Sequence, residues 1–350
     1  MRLLLFLVLP FLLHAFQALP EHLPYYALST EKTLETEYKH SIEPHFARGI
    51  EGHFQGENNV SIFYMLFPVL KEKGAIVIAN GRTEAIIKYK ELIYDLNYNG
   101  YSVYLLDHRG QGFSGRMVKD VQMGYVEDFN NYVLDLHSFV VSTVKPLKSK
   151  HLYLLGHSMG GAIAARYLEM FNDGFDAAVL NSPMLQPNLF TANTSGLICK
   201  VMRLEKKQAV YAPGQTSYDL ELSPFKNNLL THSKRRFSIM REEMEEHPSA
   251  KIGGPSIGWI QQACIGSELA VENADKIEMP LLILRGSEDE IVNPKAEDEF
   301  CQKLGSKCIG YEIKGAWHEL LIERDTYREE ALSVILTFLD LVREDTQEEN

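Results

Sequence analysis

Short uninterrupted apolar runs alternate along the chain with stretches in which apolar residues recur every three or four positions. The first pattern is typical of strands buried on both faces, and the second is typical of amphipathic helices. Strands are predicted at residues 75–79, 103–106, 152–155, 177–180, 281–284 and 309–313. The repeated alternation predicts an α/β fold with a mostly parallel, doubly wound sheet, and residues 52–67 predict an antiparallel hairpin at its edge.

The predicted helices fill most of the intervals between these strands. Apolar residues at helical spacing place them at 89–96, 129–140, 158–170 and 331–342. The interval 186–274 has no buried-strand signature and contains a charged helical stretch at 234–246. Because a structureless loop of that length is uncommon in a compact domain, this interval predicts a helical cap inserted into the sheet domain.

The amino terminus has the layout of a secretory signal peptide. Arg2 precedes an apolar stretch at residues 3–13, which is shorter than the ~20 residues that a membrane-spanning helix needs. Cleavage after Ala18 would place Phe16 where a small side chain is preferred, so the alternatives of a retained anchor and of a buried N-terminal segment stay open beside cleavage. We expect export to the periplasm or the extracellular space, with membrane association left open.

The predicted organisation is one domain with an insertion. Residues 1–18 form the export signal, 19–48 an N-terminal extension, 49–185 the first part of the α/β core, 186–274 the cap, 275–345 the second part of the core and 346–350 an acidic tail. The 350 residues carry a formal charge of −12 and are 45% hydrophobic, as expected of a globular chain with a sizeable core. The acidity argues against a nucleic-acid partner. Composition leaves open the oligomeric state and any transient contact with a membrane surface.

Export would permit the four cysteines to form disulfides. Cys301 and Cys308 bracket a predicted helix-to-strand turn, which can bring two Cα atoms within the ~4.4–6.8 Å that a disulfide needs. We expect this pair to be bridged, with two free thiols as the alternative. Cys199 and Cys264 remain, and no spacing argument joins them. The cysteines show neither zinc-site spacing nor a Cys-x-x-Cys redox motif.

The candidate chemistry centres on Gly156-His157-Ser158-Met159-Gly160, which matches G-x-S-x-G. The motif directly follows the strand predicted at 152–155 and precedes a helix, which is the context that a nucleophilic serine needs. A sharp turn lifts the hydroxyl out of the sheet, and small neighbours allow the tight backbone. Ser158 is therefore the predicted nucleophile. The alternative is a glycine-rich turn that only packs a helix against a strand.

A serine hydroxyl needs a base to take its proton and an acid to orient that base. In this architecture the partners are expected in the order serine, acid, histidine, each just beyond a later strand. Asp289 and His318 follow the last two predicted strands in that order. We assign Asp289 as the acid and His318 as the base, with Glu288 and Glu290 as alternatives for the acid.

The oxyanion that develops on the substrate needs two preorganised N–H donors. One is assigned to the backbone of Met159, the residue after the predicted nucleophile. The other is assigned to the backbone of Arg82, in the loop after strand 75–79, where Gly81 permits an unusual backbone. The Arg82 side chain faces either the substrate or the solvent, and we expect the solvent.

Two other motifs are weaker matches. Residues 110–115 satisfy G-x-G-x-x-G, but residues 107–109 separate them from their strand and a polar stretch follows, which argues against a dinucleotide site. His318-Glu319 begins like a zinc-protease motif, but Ile322 occupies the position of the second histidine. The sequence predicts neither a cofactor nor a metal.

These motifs together resemble the α/β-hydrolase superfamily, and within it the group of monoacylglycerol lipases and bacterial lysophospholipases. The residues that carry the resemblance lie at 107–116, 156–161 and 315–319. Asn80-Gly81-Arg82 stands where monoacylglycerol lipases usually have His-Gly and is similar to the lysophospholipases of Gram-negative bacteria, as are the cap residues 230–233 and 253–255. The resemblance covers about residues 45–345, and the exported amino terminus and the 301/308 cysteine pair depart from it.

The resemblance implies a serine hydrolase that cleaves the carboxylic ester of a single-chain lipid through an acyl-enzyme. A lysophospholipid is the expected substrate, and the cap would supply an apolar trough for its acyl chain. Monoacylglycerol, a short ester or a thioester are alternative substrates for the same machinery. A catalytically silent hydrolase fold that binds a ligand or partner is the remaining alternative, although all three predicted triad residues are present.

Overall fold

The computed structural model describes residues 19–20, 22–171, 174–189, 192–202, 208–219 and 224–348. The predicted export signal at 1–18 lies outside these residues. Within them, eight strands form one sheet: β1 Ile50–Gln55, β2 Ser61–Phe67, β3 Gly74–Ala79, β4 Tyr101–Leu106, β5 Leu152–His157, β6 Ala177–Asn181, β7 Leu281–Gly286 and β8 Cys308–Ile313.

The sheet has the order β1-β2-β4-β3-β5-β6-β7-β8. β2 is antiparallel to both of its neighbours, β1 and β4, whereas all the other neighbouring pairs are parallel. The mostly parallel sheet and the hairpin at its edge are therefore confirmed. Because the carboxyl ends of parallel strands meet at one edge, the loops after β3, β5, β7 and β8 converge there.

Ten α-helices occur in the described part of the chain: α1 Glu31–Glu37, α2 Glu43–Phe46, α3 Lys90–Tyr98, α4 Asn130–Phe139, α5 Met159–Met170, α6 Ala192–Met202, α7 Lys234–Glu246, α8 Ile257–Glu272, α9 Pro294–Leu304 and α10 Asp325–Glu348. The helices predicted from apolar spacing are confirmed as α3, α4, α5 and α10, with different ends. α3 follows a 3₁₀ turn at Ile86–Tyr89, and α10 continues through residues 346–348 of the predicted acidic tail. No helix among the described residues has the length and apolar character needed to cross a bilayer.

Each face of the parallel strands is covered by its own layer of helices. Along β3, Ala75 and Val77 pack into a cluster with α4, α5, α8 and α9, whereas Ile76 and Ile78 pack on the opposite face with α3 and α10. Every residue of β3 to β6 is buried, which is why these strands read as continuous apolar runs. The doubly wound architecture is confirmed.

The predicted cap interval contains α6, α7 and α8, inserted between β6 and β7. α7 contacts the N-terminal extension, where Tyr38 donates a hydrogen bond of 2.7 Å to Glu243. α8 packs against the sheet domain and contributes Trp259 and Ala263 to the core cluster that contains α5. The inserted segment therefore contacts the N-terminal extension through α7 and joins the core through α8.

The four cysteines form two disulfides. Cys301 and Cys308 are bridged as expected, joining α9 to β8 with their Cα atoms 5.3 Å apart. Cys199 and Cys264, which the sequence left unassigned, are also bridged, with their Cα atoms 5.3 Å apart. This second bridge ties α6 to α8, and so joins two helices of the insertion, one of which packs on the core.

Candidate active site

Ser158 lies in the turn between β5 and α5. Its φ of 51° and ψ of −117° are rare for an L-residue, and backbone strain of this kind is typical of the turn that presents a nucleophilic serine. The main chain holds the turn, because Ser158 N–H donates to Asn181 O over 3.1 Å and Ser158 O accepts from Met184 N–H over 2.8 Å. The predicted nucleophile therefore stands at the carboxyl end of a central strand.

Two glycines of the motif permit a close approach of backbones around this turn. A Cβ atom at Gly160 would lie 1.9 Å from the carbonyl oxygen of Ala79, and one at Gly156 would lie 2.6 Å from the carbonyl oxygen of Gly160. The obstructing atoms are backbone atoms, which cannot move aside as a flexible side chain can. The glycines therefore let α5 begin directly against the sheet.

The structure brings His318 and Asp289 together from the loops after β8 and β7. His318 Nδ1–H donates to Asp289 Oδ2 over 2.7 Å. Asp289 Oδ1 accepts from the N–H of Ile291 over 2.8 Å, which fixes the carboxylate. Both side chains of the pair are buried, whereas Glu288 and Glu290 are exposed. The acid that contacts His318 is therefore Asp289 and neither glutamate.

Ser158 and His318 line the same cavity, which has a volume of about 750 Å³. The cavity lies between the carboxyl edge of the sheet and the inserted segment. Its apolar wall includes Met240 and Met244 from α7 and Trp259 from α8. Its volume lies within the ~300–1,000 Å³ that is usual for small-molecule sites. The predicted nucleophile and base therefore face a space that can hold a substrate.

The loop after β3 holds the peptide that joins Gly81 to Arg82. Gln111 Nε2 donates to Gly81 O over 2.7 Å. In a trans peptide the C=O and the following N–H point in opposite directions, so this bond turns the Arg82 N–H away from Gln111. Gln111 belongs to the 110–115 segment, which lies in turns, and the sequence analysis missed its contact. The available signal was a polar residue inside a glycine-rich loop just after a strand.

The expectation that the Arg82 side chain faces solvent is wrong. Arg82 Nη2 donates to Gly253 O over 2.7 Å, and the guanidinium lies 4.9 Å from the centroid of the Trp259 ring. The inserted segment covers this edge of the sheet, so the Arg82 side chain is half-buried and lines the cavity. Burial lowers the pKa of Arg82 to about 10, and the group is therefore still charged at neutral pH.

A known protein family accounts for most of the chain. The family model described as Serine aminopeptidase, S33 matches residues 71–325. The chain belongs to this family. A protein of Escherichia coli K12 named lysophospholipase L2 is 32% identical over 308 residues, which cover 83% of this chain and 87% of that protein. A Haemophilus influenzae protein named probable lysophospholipase L2 is 29% identical and covers 85% of this chain and 94% of its own length.

Solved structures place the S33-family chain in a fold class. A soluble variant of monoglyceride lipase from Saccharomyces cerevisiae, in complex with a substrate analog, matches with a TM-score of 0.66 and 21% identity. The match covers 83% of this chain and 94% of the yeast chain. At this identity the likeness bears on the fold alone. The chain has the α/β-hydrolase fold that its motifs predict.

Four ionisable side chains of this S33-family chain form a buried network beside Ser158. Lys88 forms ion pairs with Glu84 and Glu319, and its Nζ lies 2.7 Å from Glu319 Oε2. His157 Nε2 lies 3.2 Å from the same oxygen. Burial alone would lower the pKa of His157, but Glu319 and Glu84 outweigh it and raise this pKa. Burial alone would raise the pKa of Glu319, but Lys88 and His157 hold it well below its usual range. The carboxylates of Glu84 and Glu319 therefore face both the Lys88 ammonium and the His157 ring.

Among the described residues, Glu84, His157 and Glu319 form the group whose geometry could hold a metal ion. Lys88 Nζ contacts both of these carboxylates, so an ammonium already supplies the positive charge between them. We therefore assign no metal to this group. The sequence analysis missed the network because its members are far apart in the chain and meet only in the folded protein.

Glu297 on α9 is a buried carboxylate behind the site. Arg285 Nη1 lies 3.6 Å from Glu297 Oε2, which is too long for a strong hydrogen bond. Burial raises the pKa of Glu297 to about 8, since the lowering effect of Arg285 is smaller, and the negative charge of Asp289 adds to the rise. Glu297 is therefore protonated in the native state at pH values where an exposed glutamate is ionised.

We predict that Glu297 makes the protein less stable as the pH rises. The native state keeps a proton that the unfolded chain releases at a pKa of about 4.3, so the stability contributed by this group is full at low pH and is lost towards pH 8. The Glu297→Gln variant lacks this titration. Between about pH 6 and 8, urea unfolding should show a loss for wild type that exceeds the loss for the variant by roughly 2 kcal/mol. Parallel pH profiles for the two proteins would contradict the prediction.

Proposed function

We propose that the protein is a serine hydrolase that cleaves the carboxylic ester of single-chain lipids, with lysophospholipids as its main substrates. The observation that carries the proposal is the strained turn at Ser158, which lines the same cavity as His318, while His318 is bonded to Asp289. The similarity to two proteins named lysophospholipase L2 and probable lysophospholipase L2 favours this substrate class.

In the proposed reaction, Ser158 Oγ attacks the ester carbonyl carbon while His318 Nε2 accepts the hydroxyl proton. Asp289 keeps Nδ1 protonated, which leaves Nε2 free to accept a proton, and it stabilises the imidazolium that results. Negative charge then develops on the former carbonyl oxygen. The backbone N–H groups of Met159 and Arg82 donate to this oxyanion, and each such donor typically contributes about 10²–10³ in turnover.

The acyl-enzyme forms when the tetrahedral intermediate breaks its bond to the leaving alcohol. His318 gives its proton to the departing oxygen of the glycerophosphoryl alcohol, and Ser158 keeps the acyl group as an ester. Water then enters, gives a proton to His318 and attacks the acyl carbon. Release of the fatty acid returns the proton to Ser158 and regenerates the free enzyme.

The acyl chain is proposed to lie along the apolar wall of the cavity. Phe237, Met240 and Met244 from α7 line this wall together with Trp259. Each buried CH₂ group contributes about 0.8 kcal/mol, so a long chain binds better than a short one. Unbranched methionine side chains adapt to different shapes, which suits acyl chains of different length.

The test is a substrate panel on the purified protein. We expect kcat/KM for palmitoyl lysophosphatidylcholine to exceed that for monopalmitoylglycerol by about tenfold, the size of one charge-assisted contact to the head group. Short-chain esters should be poorer because they bury fewer CH₂ groups. Ser158→Ala supplies the background rate. A preference for monoacylglycerol would favour the alternative substrate, and no hydrolysis of any ester would favour a silent binding fold.

We further propose that the protein works in the periplasm or outside the cell. The two bridged cysteine pairs support this, because disulfides persist in oxidising compartments. Contact with a membrane surface is proposed to be transient. The net charge of −12 opposes tight association with anionic lipids, while the substrates reside in or near lipid layers.

A further inference from the structure

Arg82 carries a charge for which the described residues supply no counter-ion. Its guanidinium contacts the carbonyl oxygen of Gly253 and the face of Trp259. Its Nε is buried without a hydrogen-bond partner. Arg82 is half-buried, and three fully buried arginines of the chain are each paired with a carboxylate: Arg109 with Asp135, Arg236 with Glu91 and Arg328 with Asp95. Within the described part of the chain, Arg82 therefore differs from these arginines in having no anion beside it.

Of the residues that the structure describes, the acidic ones that line the cavity are Glu84, Asp219 and Glu319. Two of them, Glu84 and Glu319, contact Lys88, and none of the three forms an ion pair with Arg82. Partly burying a charge without a partner costs free energy, which a bound anion would offset. The cavity therefore contains a cation that is ready for an anionic ligand.

The location of Arg82 relates this charge to the ester-cleaving site. Its backbone N–H is the proposed oxyanion donor, and its side chain lines the cavity that contains Ser158. In a lysophospholipid, the ester carbonyl and the phosphodiester are separated by the glycerol backbone. One arginine can therefore address both groups, the carbonyl through its main chain and the phosphodiester through its side chain.

We propose that the Arg82 side chain binds the phosphodiester of a lysophospholipid and selects it over monoacylglycerol. The inference rests on the proposed function. A planar guanidinium suits phosphate oxygens because it donates two parallel hydrogen bonds. Monoacylglycerol presents a hydroxyl at the equivalent position and leaves the guanidinium without an anion. The same residue thereby sets the head-group preference of the cavity.

Arg241 provides a matched control on the same cavity. It also lines the wall, with its guanidinium 5.3 Å from the centroid of the Tyr218 ring and 5.8 Å from that of Phe237. Unlike Arg82, it interacts electrostatically with a carboxylate, Glu245. Arg241→Gln therefore removes one positive charge from the cavity without removing the proposed phosphodiester contact.

The experiment measures binding of two ether analogues, which carry no ester and need no turnover. One is an alkyl lysophosphatidylcholine and the other is an alkylglycerol with the same chain, both below their critical micelle concentrations and followed by calorimetry. We expect Arg82→Gln to weaken the first by about 10- to 100-fold and the second by less than about threefold. Arg82→Lys should be intermediate, since lysine keeps the charge and loses the paired donors.

If Arg82→Gln weakened the binding of both ether analogues equally, the proposal would be overturned, because the role of Arg82 would then be to hold the Gly253 segment in place. The proposal would also be overturned if Arg241→Gln bound the two ether analogues with equal affinity, because the total charge of the cavity would then set the preference. Thermal melting of each variant checks its folding, and Arg82→Lys serves if Arg82→Gln does not fold. If the wild-type protein hydrolysed no ester, the proposed function would be rejected. The binding of the ether analogues would still test whether Arg82 contacts the phosphodiester.

Discussion

Replacing Ser158 with alanine is expected to lower kcat for lysophospholipid by about 10⁴-fold or more, with the folded state retained. Without Oγ the ester carbonyl has no nucleophile, and His318 has no hydroxyl proton to accept. The substitution keeps the Cβ atom, so the turn at φ 51° retains the shape of its backbone. The melting temperature should therefore change little.

Covalent labelling gives a second measurement of the same prediction. A fluorophosphonate should label wild type and not Ser158→Ala, because the probe reacts with an activated serine. Ser217→Ala is the control, since Ser217 lines the same cavity and has no base assigned to it. This variant should keep the label. Residual esterase activity above about one per cent in Ser158→Ala would reject the assignment of the nucleophile.

The fold was largely predictable from the sequence because its strands are buried on both faces. β3 and β5 read as continuous apolar runs for that reason, and the helices beside them show apolar residues at helical spacing. Ser158, Asp289 and His318 could be selected because each lies just beyond a strand. A position just after a strand can be read from the local sequence. Because the strands are parallel, their carboxyl ends lie at one edge of the sheet, and the three residues are brought together there.

The contacts that were missed depend on tertiary packing. The direction of the Arg82 side chain depends on where the inserted segment lies, and no residue near Arg82 in the sequence reports that. Lys88 and Glu319 are separated by 231 positions, so the spacing within either motif could not join them. Cys199 and Cys264 likewise meet because α6 packs beside α8, which the sequence of either helix does not specify.

Replacing Asp289 with asparagine is expected to lower kcat by about 10³–10⁴-fold with little effect on KM or on folding. The reason is that both carboxylate oxygens of Asp289 already accept hydrogen bonds from specific partners. Oδ1 accepts from the N–H groups of Ile291 and Val292, and Oδ2 accepts from His318. An asparagine keeps its carbonyl oxygen towards the two backbone donors and therefore turns its NH₂ group towards His318.

The consequence of that orientation is a change of tautomer. An NH₂ group facing Nδ1 favours the imidazole with its proton on Nε2, and such a ring cannot accept the proton of Ser158. Glu288→Gln and Glu290→Gln are the matched controls and should stay within about threefold of wild type, because exposed carboxylates contribute little. If either control lost most of its kcat while Asp289→Asn stayed active, the catalytic acid would be that glutamate and not Asp289. Of these three carboxylates, that of Asp289 is hydrogen-bonded to His318, whereas both glutamates are exposed. We therefore expect the large loss of kcat only at position 289.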